Sequence, residues 1–84
     1  MSLRIVALPR GWMFVGDWRR EGDSCVLENA SVIRRWGTKG QGFGLLAEQG
    51  PQPETVLDKV FRPVRYLAIN ELFNAECNEA AWKR

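Results

Sequence analysis

Residues 25–50 read CVLENASVIRRWGTKGQGFGLLAEQG, and this stretch decides the fold. It opens as an extended segment, because Val26, Val32 and Ile33 are β-branched and Trp36 closes it with a large aromatic. Such side chains fit a pleated, half-buried surface. Glu28-Asn29-Ala30 interrupts the alternation, which predicts a bend or bulge and not one straight strand. Gly37, Gly40, Gly42 and Gly44 then remove side chains at short intervals, as a tight backbone crossing requires. Leu45-Leu46-Ala47-Glu48-Gln49 suits a short helical turn, and Gly50-Pro51 stops it. Strand, glycine-rich crossing and capped turn form the middle of a small β-rich domain.

Outward from this centre, residues 4–8 (RIVAL) predict a first strand ended by Pro9. Residues 11–20 (GWMFVGDWRR) predict a second. Alternation puts Trp12, Phe14 and Trp18 on one face and Met13, Val15, Asp17 and Arg19 on the other. Gly16 marks a bulge or a close backbone crossing. Glu21-Gly22-Asp23-Ser24 is a tight-turn tetrapeptide, so the second and third strands form a hairpin. Gly50-Pro51-Gln52-Pro53 is loop. An extended pattern resumes at Thr55 and continues through Val60, Phe61, Val64 and Tyr66, with Pro63 arguing for an edge or bulge. Residues 67–71 read as one tight turn before a last strand over residues 72–77. A helix over residues 67–82 competes with that strand, because periodicity does not separate the two. Asn78 is placed to cap a final turn through Trp82.

The expected fold is mainly β: a small, SH3-like half-open barrel of about five strands with one or two short helical turns. Such barrels reduce the problem of exposed edges without a large core. Eighty-four residues form one such domain. Met1-Ser2-Leu3 is given no weight, since a start of this kind can be a cloning remnant.

Composition excludes more than it identifies. The chain is 45% hydrophobic and 26% charged, which is ordinary globular material. No apolar run approaches the roughly 20 residues of a membrane helix, and MSLRIVALPR lacks the pattern of a signal peptide. Cys25 and Cys77 are two isolated cysteines in apolar surroundings, expected to be reduced and buried in an intracellular, cytoplasmic protein. Asn29-Ala30-Ser31 matches the glycosylation triplet, which carries no meaning without secretion. There is no histidine, so the commonest general base and metal ligand is missing. The expectation is a protein with no metal, no cofactor and no catalytic residues. Gly40-x-Gly42-x-Gly44 matches neither the dinucleotide fingerprint nor a P-loop.

Two constellations carry a functional reading beside a plain one. Net charge is only +2, but nine of the twelve cationic residues are arginine, which suits forked contacts to carboxylate or phosphate. Arg34, Arg35 and Lys39, with Trp36 and mobile glycines between them, could contact phosphate and stack on a base. The plain alternative buries Trp36 and pairs the arginines with surface acids. Trp12, Phe14 and Trp18 form the second constellation. If Met13 and Val15 supply the core side, the three rings form a protein-binding surface; otherwise the rings are the core.

The succession FVGDW, EGD-CVLENASVIRRW, G-LLAEQGP and PVRYLAINELFNAEC resembles an uncharacterised family of small proteins encoded by phages and prophages. The shared features are a V-L-x-N-A-x-x-I-x-x-W stretch, here residues 26–36, an L-x-x-L-A-x-x-G turn, here Leu45-Leu46-Ala47 with Gly50, and a closing strand from Leu72 to Cys77. The spacing around Gly44-Leu45 and the density of glycine depart from that pattern. The resemblance implies a phage-type origin, in a bacterial host cytoplasm, and no activity. Three classes of function follow in order: a protein-interaction or self-assembling accessory module, a nucleic-acid-binding module, and an enzyme.

Overall fold

The computed structural model describes residues 2–82. Six strands form one antiparallel sheet: β1 (Ser2–Leu8), β2 (Trp12–Glu21), β3 (Ser24–Arg35), β4 (Val56–Lys59), β5 (Val64–Leu67) and β6 (Phe73–Glu76). Two short helices, α1 (Gly42–Gln49) and α2 (Glu79–Trp82), complete it. The sheet runs β4-β3-β2-β1-β6, and β5 also pairs with β3. It coils without closing, consistent with the half-open, SH3-like barrel expected. Among the described residues no helix is long and apolar enough to cross a membrane.

The twelve-residue β3 is the spine. One of its edges pairs with β2 along most of its length. Its other edge is shared: residues 24–27 pair with β5, and Ser31, Val32, Ile33 and Arg35 pair with β4. The gap between the two is Glu28-Asn29-Ala30, where the register with β2 shifts by one residue. This is the predicted bulge, with Asn29 in the left-handed region at φ 51°. Gly16 lies opposite, and a Cβ there would sit 3.1 Å from both Ala30 Cα and Glu28 O. The two features anticipated separately are thus one contact. The Val60 amide donates to Ala30 O (2.9 Å), so the chain turns from β4 toward β5 at the same bulge.

An extra residue in one strand reverses its alternation, and here that matters for the core. Before the bulge Leu27 faces Trp18; after it Val32 faces Phe14. Leu27 and Ala30, of opposite parity, therefore both enter one cluster with Val6, which Phe14, Trp18, Val60, Val64 and Tyr66 surround. The other face gathers Ile5, Val15, Ile33, Leu46, Ala47, Cys77 and Trp82. There α1 and α2 form the cover, tied by the Asn78 amide and Trp82 Nε1, both donating to Ala47 O. Val26, also fully buried, lies in register between Arg19 and Arg65, which with Glu21 and Glu28 form an ion-pair group above it.

The hairpin forms at the tetrapeptide identified: Glu21 pairs with Ser24 across Gly22-Asp23. Positive φ at Gly22 alone matches a II′ turn, whose twist suits the flanking strands. The expected mainly β fold is present; its six strands, against about five expected, arise because Phe61-Arg62-Pro63 divides one apparent strand into β4 and β5, and Pro63 lacks the ladder donor. Three expectations need correction. The helix considered over residues 67–82 is not formed. A single 3₁₀ turn (Ala68–Asn70) leads into β6, whose pairing with β1 outweighs local helix propensity. Neither face of β2 is simply core or surface: Val15 enters one buried cluster and Phe14 and Trp18 pack on the other, while Trp12 stays exposed. Finally Ser2 and Leu3, given no weight, extend β1 opposite Trp18 and Asp17, and Leu3 packs on the core; Met1 lies outside the described residues.

Candidate functional site

Three places on the molecule bear on function. The first is the loop from Gly37 to Gly42 with the start of α1. Trp36 is half-buried against the core and Gly37 presses on the segment 52–55, where Thr55 Oγ1 donates to Trp36 O (2.6 Å). Two hollows of about 350 and 490 Å³ flank this crossing, and Gly37, Thr38, Lys39 and Glu54 line both. Arg35 lines the larger one. Arg34 does not join it: its guanidinium donates to the Asp58 carboxylate on β4. Neighbours on a strand point to opposite faces, so the sequence pair divides. Arg35 and Lys39 have no carboxylate partner among the described residues.

Thr38 is the residue that sequence reasoning missed. It is 3% exposed, and its hydroxyl has no hydrogen-bond partner among the described residues. A buried polar group left unpaired costs about 1–3 kcal/mol. The only signal in the sequence was a threonine between two glycine-rich steps, which is too common to single out.

The second place is the rim of the sheet around β6. Trp12, Phe14 and Trp18 lie on one face as alternation predicts, but they separate in role. Trp12 is 54% exposed and stacks on Phe14 with ring centroids 6.2 Å apart. Trp18 is held inside a polar network: its Nε1 donates to Tyr66 Oη and to Glu71 Oε2, both at 3.2 Å. Glu71 also accepts from the Tyr66 hydroxyl and from Asn74 Nδ2, and Asn74 Oδ1 accepts from Arg4 Nη1 (2.8 Å). Arg4 lies over the Trp18 ring, 4.5 Å from its centroid. Trp18 is therefore a structural residue and not a free anchor. Leu8 pairs with Trp12, and the Leu72 amide donates to Ala7 O, so Leu72 reaches the same corner. Leu67, Ile69 and Leu72 are 53, 89 and 66% exposed. Sequence reasoning placed these three in a turn or strand without expecting them to be wet, since exposure at a sheet edge is a tertiary property.

The third place is the pair of thiols. Cys25 and Cys77 are free and buried, as expected. Burial pushes both upward, Cys77 to about 12, which makes them poor nucleophiles at neutral pH. Tyr66 is also raised, by burial first and then by the Glu71 carboxylate it donates to. Among the described residues no group of histidine, cysteine, aspartate or glutamate is arranged to hold a metal ion.

Comparison with protein-family models, with curated proteins and with solved structures finds no match for this chain. The functional reading therefore rests on the three places just described and on the motifs quoted from the sequence.

Proposed function

We propose that the protein is a non-enzymatic, cytoplasmic accessory module of phage or prophage type that associates with a second copy of itself through the β6 rim. The observation that carries this is an open strand edge set among wet apolar side chains. Among the described residues β6 pairs with β1 alone, so its other edge offers unpaired ladder groups. Ile69 and Leu72 precede it and are mostly exposed, and Trp12 lies two strands away. Antiparallel pairing of β6 with its copy about a two-fold axis is self-complementary. Centred on Ala75, it sets Asn74 against Glu76 and keeps the two Glu76 carboxylates apart. Burying one leucine is worth about 1.5–3 kcal/mol, or roughly tenfold or more in affinity.

Sedimentation velocity over a range of concentrations tests the proposal. The parent is expected to dimerise, and Ile69→Ser with Leu72→Ser to shift the protein to monomer while circular dichroism stays unchanged. A parent that sediments as a monomer at every concentration, or a folded double variant that still dimerises, contradicts it.

A second reading, nucleic-acid binding, is favoured by one observation: Arg35 and Lys39 flank the same glycine loop without acidic partners. Replacing both by serine should weaken retention of single-stranded nucleic acid and reduce its salt slope by about two. Arg34→Ser should change neither, since Arg34 is engaged with Asp58. Equal effects of the two replacements would show that only bulk charge matters.

A further inference from the structure

We infer that the outer edge of β4 takes an acidic, extended peptide segment of another protein as an added strand. This edge lies at the opposite end of the sheet from β6. Only the choice of another protein over a second copy rests on the β6 reading.

Among the described residues β4 pairs with β3 alone, so its far side is open. The Val60 amide donates to Ala30 O (2.9 Å) in the register that sets Ser31 against Lys59 and Val32 against Asp58. Bonded and unbonded pairs alternate in an antiparallel ladder. Val32 and Asp58 are therefore a bonded pair, and Leu57 and Lys59 turn their N–H and C=O groups outward. Val56, Asp58 and Lys59 are exposed along this edge. Donors and acceptors alternating in a row match another polypeptide strand. A phosphate backbone offers acceptors alone and leaves the two carbonyls unmatched.

Charge selects the occupant, because the two open edges of the sheet differ in sign. Residues 56–67 hold Lys59, Arg62 and Arg65 against one acid, Asp58, which Arg34 already engages. Residues 68–79, which contain β6, hold Glu71, Glu76 and Glu79 and no cation. Two β4 edges therefore repel each other, and lysine on an edge strand commonly guards against pairing with copies. The same ammonium attracts an acidic strand. Beside it a hollow of about 220 Å³ is lined by Lys59, Ser31 and Asn29, with Val15 and Trp82 behind. A glutamate entering from an added strand meets ammonium, hydroxyl and amide donors together. Side chains two apart share a face, so the segment that fits carries acids at alternate positions. β6 of a second copy is also acidic, but in the dimer proposed above it is already paired.

The test is a titration of the full chain followed by the amide resonances of Leu57 and Lys59, with those of residues 73–76 recorded alongside. The probes are a short capped peptide alternating threonine and glutamate, its threonine–lysine counterpart, the acidic peptide fully N-methylated, and a short oligothymidylate. The acidic peptide is expected to shift both amides saturably, and the lysine peptide to leave them unmoved. N-methylation removes every ladder donor at unchanged charge and should abolish the shift. Lys59→Glu, at an exposed position, should keep the circular dichroism of the parent and bind the acidic peptide roughly tenfold more weakly. Peptide binding to a protein that stays monomeric supports the inference while contradicting the β6 dimer. Equal binding of the N-methylated peptide overturns it, since bulk charge is then enough. So does oligothymidylate moving the two amides when the acidic peptide does not, which assigns the edge to nucleic acid. Shifts at Leu57, Lys59 and residues 73–76 with protein concentration alone show head-to-tail pairing of β6 with β4, and overturn it too.

Discussion

Gly37→Ala is expected to destabilise the protein by about 3–5 kcal/mol, the largest effect of any single methyl group added to it. Two causes act together. Gly37 has φ +68°, a conformation that costs a residue with a Cβ about 1–3 kcal/mol. The added Cβ would also sit 2.2 Å from Thr55 N, 2.4 Å from Glu54 C and 2.7 Å from Thr55 Cα. All three atoms are backbone, so no side chain can rotate away. Segment 52–55 is itself fixed, since the Thr55 amide donates to Gln52 O and Thr55 Oγ1 joins the Gln52 amide to Trp36 O. Gly40→Ala is the control: φ is +88° there, but nothing lies within 4 Å, so only the conformational cost applies. Urea denaturation measures both. A Gly37→Ala variant no less stable than Gly40→Ala would show that the crossing is looser than described.

Alkaline pH is expected to unfold the protein over a defined window. Burial raises Cys77 from 9.0 to about 12, and raises Cys25 and Tyr66 in the same direction. In each case the neutral form is the one the fold accommodates. The unfolded chain releases these protons near the ordinary values of 9.0 and 10.0, while the folded chain holds them. Above pH 9 the unfolded state therefore binds fewer protons, and stability falls as pH rises. Below pH 9 the three groups contribute their full effect and the profile is flat with respect to them. Cys77 alone accounts for up to about 4 kcal/mol by pH 12. Stability measured by urea from pH 7 to 11 should be level to about 9 and then decline steeply. Cys77→Ala should lower the plateau through a small cavity but make the decline shallower. Equal slopes in parent and variant would remove Cys77 from the account.

Much of the fold was readable in the sequence wherever the cause is local. Glu21-Gly22-Asp23-Ser24 states a hairpin through turn chemistry alone, and Gly50-Pro51 ends α1 where it ought to end. Glu28-Asn29-Ala30 and Gly16 each announced an irregularity. That they touch one another depends on the register between β2 and β3, which neither segment encodes by itself. Both faces of β2 carry buried clusters because α1 and α2 cover one and Val60, Val64 and Tyr66 pack on the other, which β2 by itself does not encode. Pro63 was recognised as a disturbance, yet whether it bends one strand or divides two depends on where β3 offers its edge.

The candidate sites were less legible, for the same reason. Alternation separates Arg34 from Arg35, but only Asp58, twenty-four residues away in sequence, decides which is engaged. Trp18 looked like an anchor until Tyr66 and Glu71 closed around it. Thr38 carries no mark in the sequence, because an unpaired hydroxyl is defined by what fails to surround it. Leu72 reads equally well as core or rim until the sheet has an end.

Amide hydrogen exchange at Phe73, Asn74, Ala75 and Glu76, measured across a hundredfold range of protein concentration, tests the β6 proposal most directly. Amides on the open edge of β6 should exchange quickly in dilute protein and become protected as concentration rises. Amides of β3 should be protected throughout. Exchange at β6 that does not depend on concentration would contradict self-association through this edge.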